Sequence, residues 1–144
     1  MYRIERSAIV PYSAEQMFVL VADVNEYPKF LPWCAAAHAQ ERSDGCVDVT
    51  IEIAYRGIRS RFTTRNVNRA PKSIDMELVE GPFCRLQGGW TFRKLRSDAC
   101  KVQLQLQYQF ATGLIGRAIA PAFDFIAGSM VDGFSRRAEI LHGR

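Results

Sequence analysis

The ten residues KVQLQLQYQF at 101–110 alternate without interruption, with Val102, Leu104, Leu106, Tyr108 and Phe110 on one side and Lys101 and four glutamines on the other. A strict period of two marks a strand with one wet face, which needs antiparallel neighbours and a cover for its apolar side. At Gly113 the period changes. From Leu114 to about Leu141, Ile115, Ile119, Phe123, Ile126, Met130, Phe134, Ala138 and Leu141 recur at helical spacing. No other segment is long enough to cover a sheet. Pro121 falls inside this pattern and predicts a kink or a break into two helices. Arg136, Arg137 and His142 near its end suit the negative pole of the helix dipole.

The preceding chain repeats the strand theme. Residues 2–11 are rich in isoleucine, valine and tyrosine and stop at Pro11. Ser13 followed by Gln16 is a capping-box signature, and Met17, Phe18, Leu20, Val21 and Val24 then supply a helical apolar face. VDVTIEIAY alternates through Val47, Val49, Ile51, Ile53 and Tyr55. IRSRFTTRNV returns with Arg59, Arg61 and Arg65 on one face. KSIDMELV alternates through Ile74, Met76 and Leu78, and CRLQGGWTFRKL sets Leu86, Gly88, Trp90 and Phe92 on one side. The order predicts one α+β domain over 1–144: a curved antiparallel sheet of about six or seven strands wrapped around a long C-terminal helix. One or two short helices follow the first strand.

Composition narrows the class without choosing a partner. The chain has 144 residues, 48% of them hydrophobic, and a formal charge of +4. That balance is compatible with RNA or an anionic membrane surface and equally with a solvated surface; nothing calls for DNA. Arg3, Glu5 and Arg6 exclude a secretory signal at this N-terminus, and no window reaches the ~18 apolar residues of a spanning helix. A cytoplasmic location is expected, with room for peripheral contact with the inner membrane. Cys34, Cys46, Cys84 and Cys100 have no close C-x-x-C spacing, so buried or half-buried thiols are expected rather than a metal site or disulfides.

The segment YPKFLPWC at 27–34 is too rich in proline for a long helix and lacks the alternation of a strand. Pro28 suits the first turn of a short helix and Pro32 its end, which brings Tyr27, Phe30 and Trp33 near one face. Such an aromatic plug, with Leu31 inside it, either caps the core or forms the rim of a hydrophobic pocket. The inward set of the sheet and helix is itself aromatic: Tyr55, Phe62, Trp90, Phe92, Tyr108, Phe110, Phe123 and Phe134. Gly88, Gly89, Ala122, Ala127, Gly128 and Gly133 interrupt it. Rings facing small residues either interdigitate into a solid core or leave a lined cavity, and patterning keeps both open.

VADVNEYPKFLPWC at 21–34, GPFCRLQGGWTF at 81–92 and MVDGFSRRAEILHG at 130–143 carry a resemblance. The sequence resembles the coenzyme Q-binding START-domain family, within the START-like and polyketide-cyclase-like helix-grip group. The resemblance implies a helix-grip fold with a hydrophobic tunnel for ubiquinone or a similar polyisoprenoid, in support of respiration. The residues it would place around the ligand are Tyr27, Phe30, Leu31, Trp33, Ile51, Ile53, Tyr55, Phe62 and Met76 from the first half. Trp90, Phe92, Leu106, Tyr108, Phe123, Ile126, Met130 and Phe134 complete the set, with Tyr55 or Tyr108 orienting a quinone carbonyl. No cofactor beyond the bound lipid is implied. Bacterial members of this length resemble a ribosome-association toxin that binds the large subunit and blocks its joining to the small one. With no mitochondrial transit peptide, the bacterial branch fits better.

Two expectations of different classes result. The first is a non-enzymatic binding protein for a hydrophobic lipid. The alternative is a ribosome-binding protein, using an outward basic row of Arg59, Arg61, Arg65 and Arg69, with Lys72, Arg93, Lys94 and Arg96 nearby. Catalysis has little support: there is no phosphate loop, nucleophile elbow or metal cluster. His38 and His142 are isolated, and Asp23 and Glu26 read as a solvated helix corner.

Overall fold

A computed structural model describes residues 2–143 and, of Ile115, only the backbone. The chain runs β1 (Tyr2–Val10), α1 (Ala14–Ala22), a 3₁₀ helix (Val24–Lys29), β2 (Cys34–Glu41), β3 (Val47–Tyr55), β4 (Ile58–Arg69), β5 (Ser73–Glu80), β6 (Phe83–Arg96), β7 (Ala99–Phe110) and α2 (Leu114–His142). The seven strands form one antiparallel sheet in the order β1-β7-β6-β5-β4-β3-β2. Each strand after β2 pairs with its predecessor, and β1 closes the far edge against β7. The architecture is the expected one.

Register explains which face is wet. Arg3, Gln107, Gln87, Glu77, Arg65, Asp48 and Gln40 align in one outer row across the sheet. The neighbouring inner positions carry Leu104, Leu106, Trp90, Ile74, Ile51 and Ile53, all buried, and α2 covers them with Ile119, Phe123, Ile126 and Phe134. The Ile115 side chain, part of the same helical periodicity, lies outside the described residues.

Two local expectations are narrowed: the break at Pro121 does not occur, and the plug's short helix starts earlier. Helix α2 is continuous from Leu114 to His142 with Pro121 inside it. Pro121 and Arg117 are both exposed, so the carbonyl that loses its N–H partner is left to water. The short helix of the plug begins at Val24, ahead of Pro28. Glu26 N–H already donates to the Asp23 carbonyl at 3.2 Å, which starts the turn one step after α1 ends. The predicted capping box of α1 is formed: Gln16 N–H donates to Ser13 Oγ at 3.1 Å and Ser13 N–H to Gln16 Oε1 at 3.0 Å.

Gly88 and Gly89 bring strands close together rather than opening space inside. A Cβ on Gly88 would stand 2.0 Å from the Gln105 carbonyl oxygen, and one on Gly89 would stand 2.4 Å from that of Ile74.

Candidate functional site

The plug docks on the C-terminal half of α2. Tyr27 and Phe30 place their rings edge-on to Phe134, at centroid separations of 5.2 and 5.5 Å. Gly133 leaves room for Leu31, since a Cβ there would lie 2.8 Å from Leu31 Cδ2. The Tyr27 hydroxyl donates to the Val21 carbonyl, and burial pushes its pKa far above the ordinary phenol range. The Trp33 carbonyl accepts from Ala54 N–H at 2.9 Å, fastening the end of the plug to β3.

Behind the plug lies an interior cavity of about 60 Å³. Of the expected ligand residues, Tyr27, Trp33, Ile51, Phe62 and Met76 line it, as do Trp90, Leu106, Phe123, Ile126 and Met130. The other seven surround it at one remove or lie elsewhere. Ile53, Phe92 and Phe134 are buried in the core beyond its lining. Phe30 and Leu31 line a separate groove on the outside of the plug, which shares Trp33 with the cavity. Tyr55 stacks on Phe125 at 5.0 Å. Tyr108 donates to Asp124 Oδ1 at 2.6 Å, so its hydroxyl is engaged away from the cavity.

The polar groups that do reach the cavity are Thr64, Asn66 and Asn68 of β4. Thr64 and Asn66 are buried, and the threonine hydroxyl donates to Asn66 Oδ1 at 2.8 Å. This engages the Asn66 oxygen and leaves its amide N–H groups as donors within the lining. The alternation of β4 carried the signal, because arginines outward at 61 and 65 put Phe62, Thr64 and Asn66 inward. A volume of about 60 Å³ is room for roughly two waters. The interior is close to a solid core, one of the two outcomes that patterning keeps open.

The outer face carries the four arginines of β4 in the predicted row, but three of them meet acids. Arg59 lies 3.6 Å from Glu52, Arg65 lies 2.9 Å from Asp48, and Arg69 contacts Asp75. The Arg65 guanidinium holds the Asp48 carboxyl below the usual carboxylate range. Cations without an ion-pair partner among the described residues gather instead at one end of the sheet, with Glu15 beside them. Arg93 and Lys101 face each other across β6 and β7, Lys94 and Arg96 follow, and Lys72 accepts from Phe92 N–H through its carbonyl at 2.8 Å. None of these five cations forms an ion pair among the described residues. Like charges on directly opposed strand positions repel, so this cationic edge is poised for an external anion.

The remaining titratable groups have structural explanations. Burial pushes the Cys34 and Cys100 thiols up to about 11. All four cysteines are unpaired. His38 is exposed on the outer face of β2, opposite Thr50. No helix among the described residues is long and apolar enough to cross a membrane.

A sequence profile described as polyketide cyclase/dehydrase and lipid transport matches residues 10–135. The chain belongs to that family. Within it, the chain is 43% identical over 140 residues to a protein of Pseudomonas aeruginosa named ribosome association toxin RatA, covering 97% of each. It is 26% identical to the mitochondrial coenzyme Q-binding protein COQ10 homolog B of Xenopus laevis, covering 96% of this chain and 58% of that one. A START superfamily protein from Mycobacterium smegmatis superposes with a TM-score of 0.78 at 20% identity, covering 98% of this chain and 99% of the other. The resemblance and the START-like helix-grip fold expected from the sequence are both borne out. The balance between the two functional expectations shifts, because the more similar relative carries the ribosomal name and the quinone-binding one is distant.

Proposed function

We propose that this protein associates with ribosomes, seating its cationic edge on ribosomal RNA of the large subunit and so hindering subunit joining. The observation that carries the reading is the 43% identity, across 97% of both chains, to a ribosome association toxin. The cationic edge supplies a physical means: Lys72, Arg93, Lys94, Arg96 and Lys101 lack ion-pair partners among the described residues and sit on strand ends and a hairpin, within reach of a phosphate backbone. Sucrose-gradient sedimentation with purified ribosomal subunits at low salt tests this. The protein should co-sediment with large subunits and lower the yield of joined particles; profiles unchanged by added protein would overturn the proposal.

A second reading keeps the interior for a hydrophobic ligand such as a quinone, favoured by one observation: the Thr64–Asn66 pair within an apolar lining. Ligand sites usually span ~300 Å³ or more, so the lining must move. Met76 and Met130 are the adaptable members of it. Native mass spectrometry of protein purified from its own host should find a bound lipid; a lipid-free protein that also refuses added ubiquinone would end this reading.

A further inference from the structure

The groove on the outer side of the plug has a chemistry that neither reading uses. It has a volume of about 320 Å³ and runs between the plug and the last turns of α2. Its walls are Phe30, Leu31, Pro32 and Trp33 on one side and Phe125 and Ile140 on the other. Ile140 is 72% exposed, and Phe125, stacked on Tyr55 through one face, is still 52% exposed, so both present apolar surface to solvent. The charged members of the lining are Arg136 and Arg137, and no acid joins them among the described residues. Neither arginine forms an ion pair among those residues. The Arg137 guanidinium lies over the Phe30 ring, 5.1 Å from its centre. Its Nε is shut off from solvent with no hydrogen-bond partner. The face that covers Nε leaves the terminal N–H groups of Arg137, which lines the groove, as the donors that a carboxylate there can engage through two parallel bonds.

We infer that this groove binds a single-chain amphipathic carboxylate, with the carboxylate on Arg137 and Arg136 and the acyl or aryl chain along Phe30, Pro32, Phe125 and Ile140. The volume lies at the lower end of the range for ligand sites, which suits one chain rather than a two-tailed phospholipid. Trp33 lines both the groove and the interior cavity. Occupancy of the groove is therefore reported by its indole. The inference is independent of ribosome association and does not need the interior cavity to open.

The test is calorimetric titration of the full chain with decanoate, with decanol and acetate as controls, alongside co-sedimentation with vesicles of anionic phospholipid. Decanoate should bind at least about tenfold more tightly than decanol, as expected for a charge-assisted bidentate pair. Arg137→Gln should remove that preference and leave decanol unchanged. Ile140→Glu, on the exposed wall, keeps the fold and places a negative charge in the groove, so it too should weaken decanoate. Decanoate should shift tryptophan emission, and Trp33→Phe should abolish the shift. Equal affinity for decanoate and decanol, or full decanoate binding by both Arg137→Gln and Ile140→Glu, would overturn the inference. So would binding to anionic vesicles with none to decanoate, which would make the groove a bilayer contact.

Discussion

Tyr108 of β7 donates a 2.6 Å hydrogen bond to Asp124 of α2, tying the open end of the long β6–β7 hairpin to the helix that covers it. The Tyr108 ring is also packed against Phe123, at 4.9 Å. Removing the hydroxyl alone, as in Tyr108→Phe, keeps the ring packing and deletes a bond to a carboxylate. The expected loss is about 1.5–3 kcal/mol, nearer the lower end because Asp124 is half-buried. Urea denaturation at neutral pH measures it.

Stability should fall on the alkaline side. Burial, and then the bond to Asp124, raise the Tyr108 phenol above its ordinary 10.0. Burial raises the Cys34 and Cys100 thiols from 9.0 to about 11. A group whose pKa is raised by folding contributes stability that is complete below its unfolded value and is lost as pH climbs through the folded one. The denaturation midpoint should thus be flat up to pH ~9, decline toward pH ~11 as the thiols ionise, and decline further above that as the phenols follow. At pH ~8, iodoacetamide should label exposed Cys84 first and spare Cys34 and Cys100 until the chain unfolds.

Gly88 should tolerate no side chain. Its φ of +150° and the 2.0 Å approach of the Gln105 carbonyl act together, so Gly88→Ala should cost about 3 kcal/mol or more. Gly45 has a φ of +88° but nothing within 4 Å of a built Cβ, so Gly45→Ala should cost only about 1 kcal/mol of backbone strain. Comparing the two melting curves separates close approach from strain.

Trp33→Ala should cost about 3–5 kcal/mol, since the residue is only 4% exposed and closes the wall between cavity and groove. Phe30→Ala should cost less, because Phe30 is half-buried on the outer side. An environment-sensitive dye should enter the folded Trp33→Ala variant and not the wild type, read by fluorescence below the denaturation midpoint.

Period and turn chemistry made most of the fold legible. The strands at 47–55 and 101–110 and the switch at Gly113 fix a sheet with one helical cover, and Ser13 with Gln16 fixes the start of α1. The continuity of α2 through Pro121 was not legible, because it depends on the proline falling on the solvent side. The site was legible by face and not by depth. Alternation says that Phe92 and Trp90 both point inward, yet only Trp90 reaches the cavity. The outward arginines of β4 were visible, but their neutralisation by Glu52, Asp48 and Asp75 depends on cross-strand register. That register moves the free positive charge to the end of the sheet.

The most direct test of ribosome association is the salt dependence of binding to large subunits, compared across two sets of variants. Lys72→Gln, Arg93→Gln and Lys101→Gln together should weaken binding at low salt. They should also flatten the plot of log affinity against log salt by about 0.7–0.9 for each phosphate that the protein no longer neutralises. The matched triple Arg59→Gln, Arg65→Gln and Arg69→Gln should change the slope far less, because those arginines already hold carboxylates. A slope unchanged by the first set, or lowered equally by both, would contradict the account.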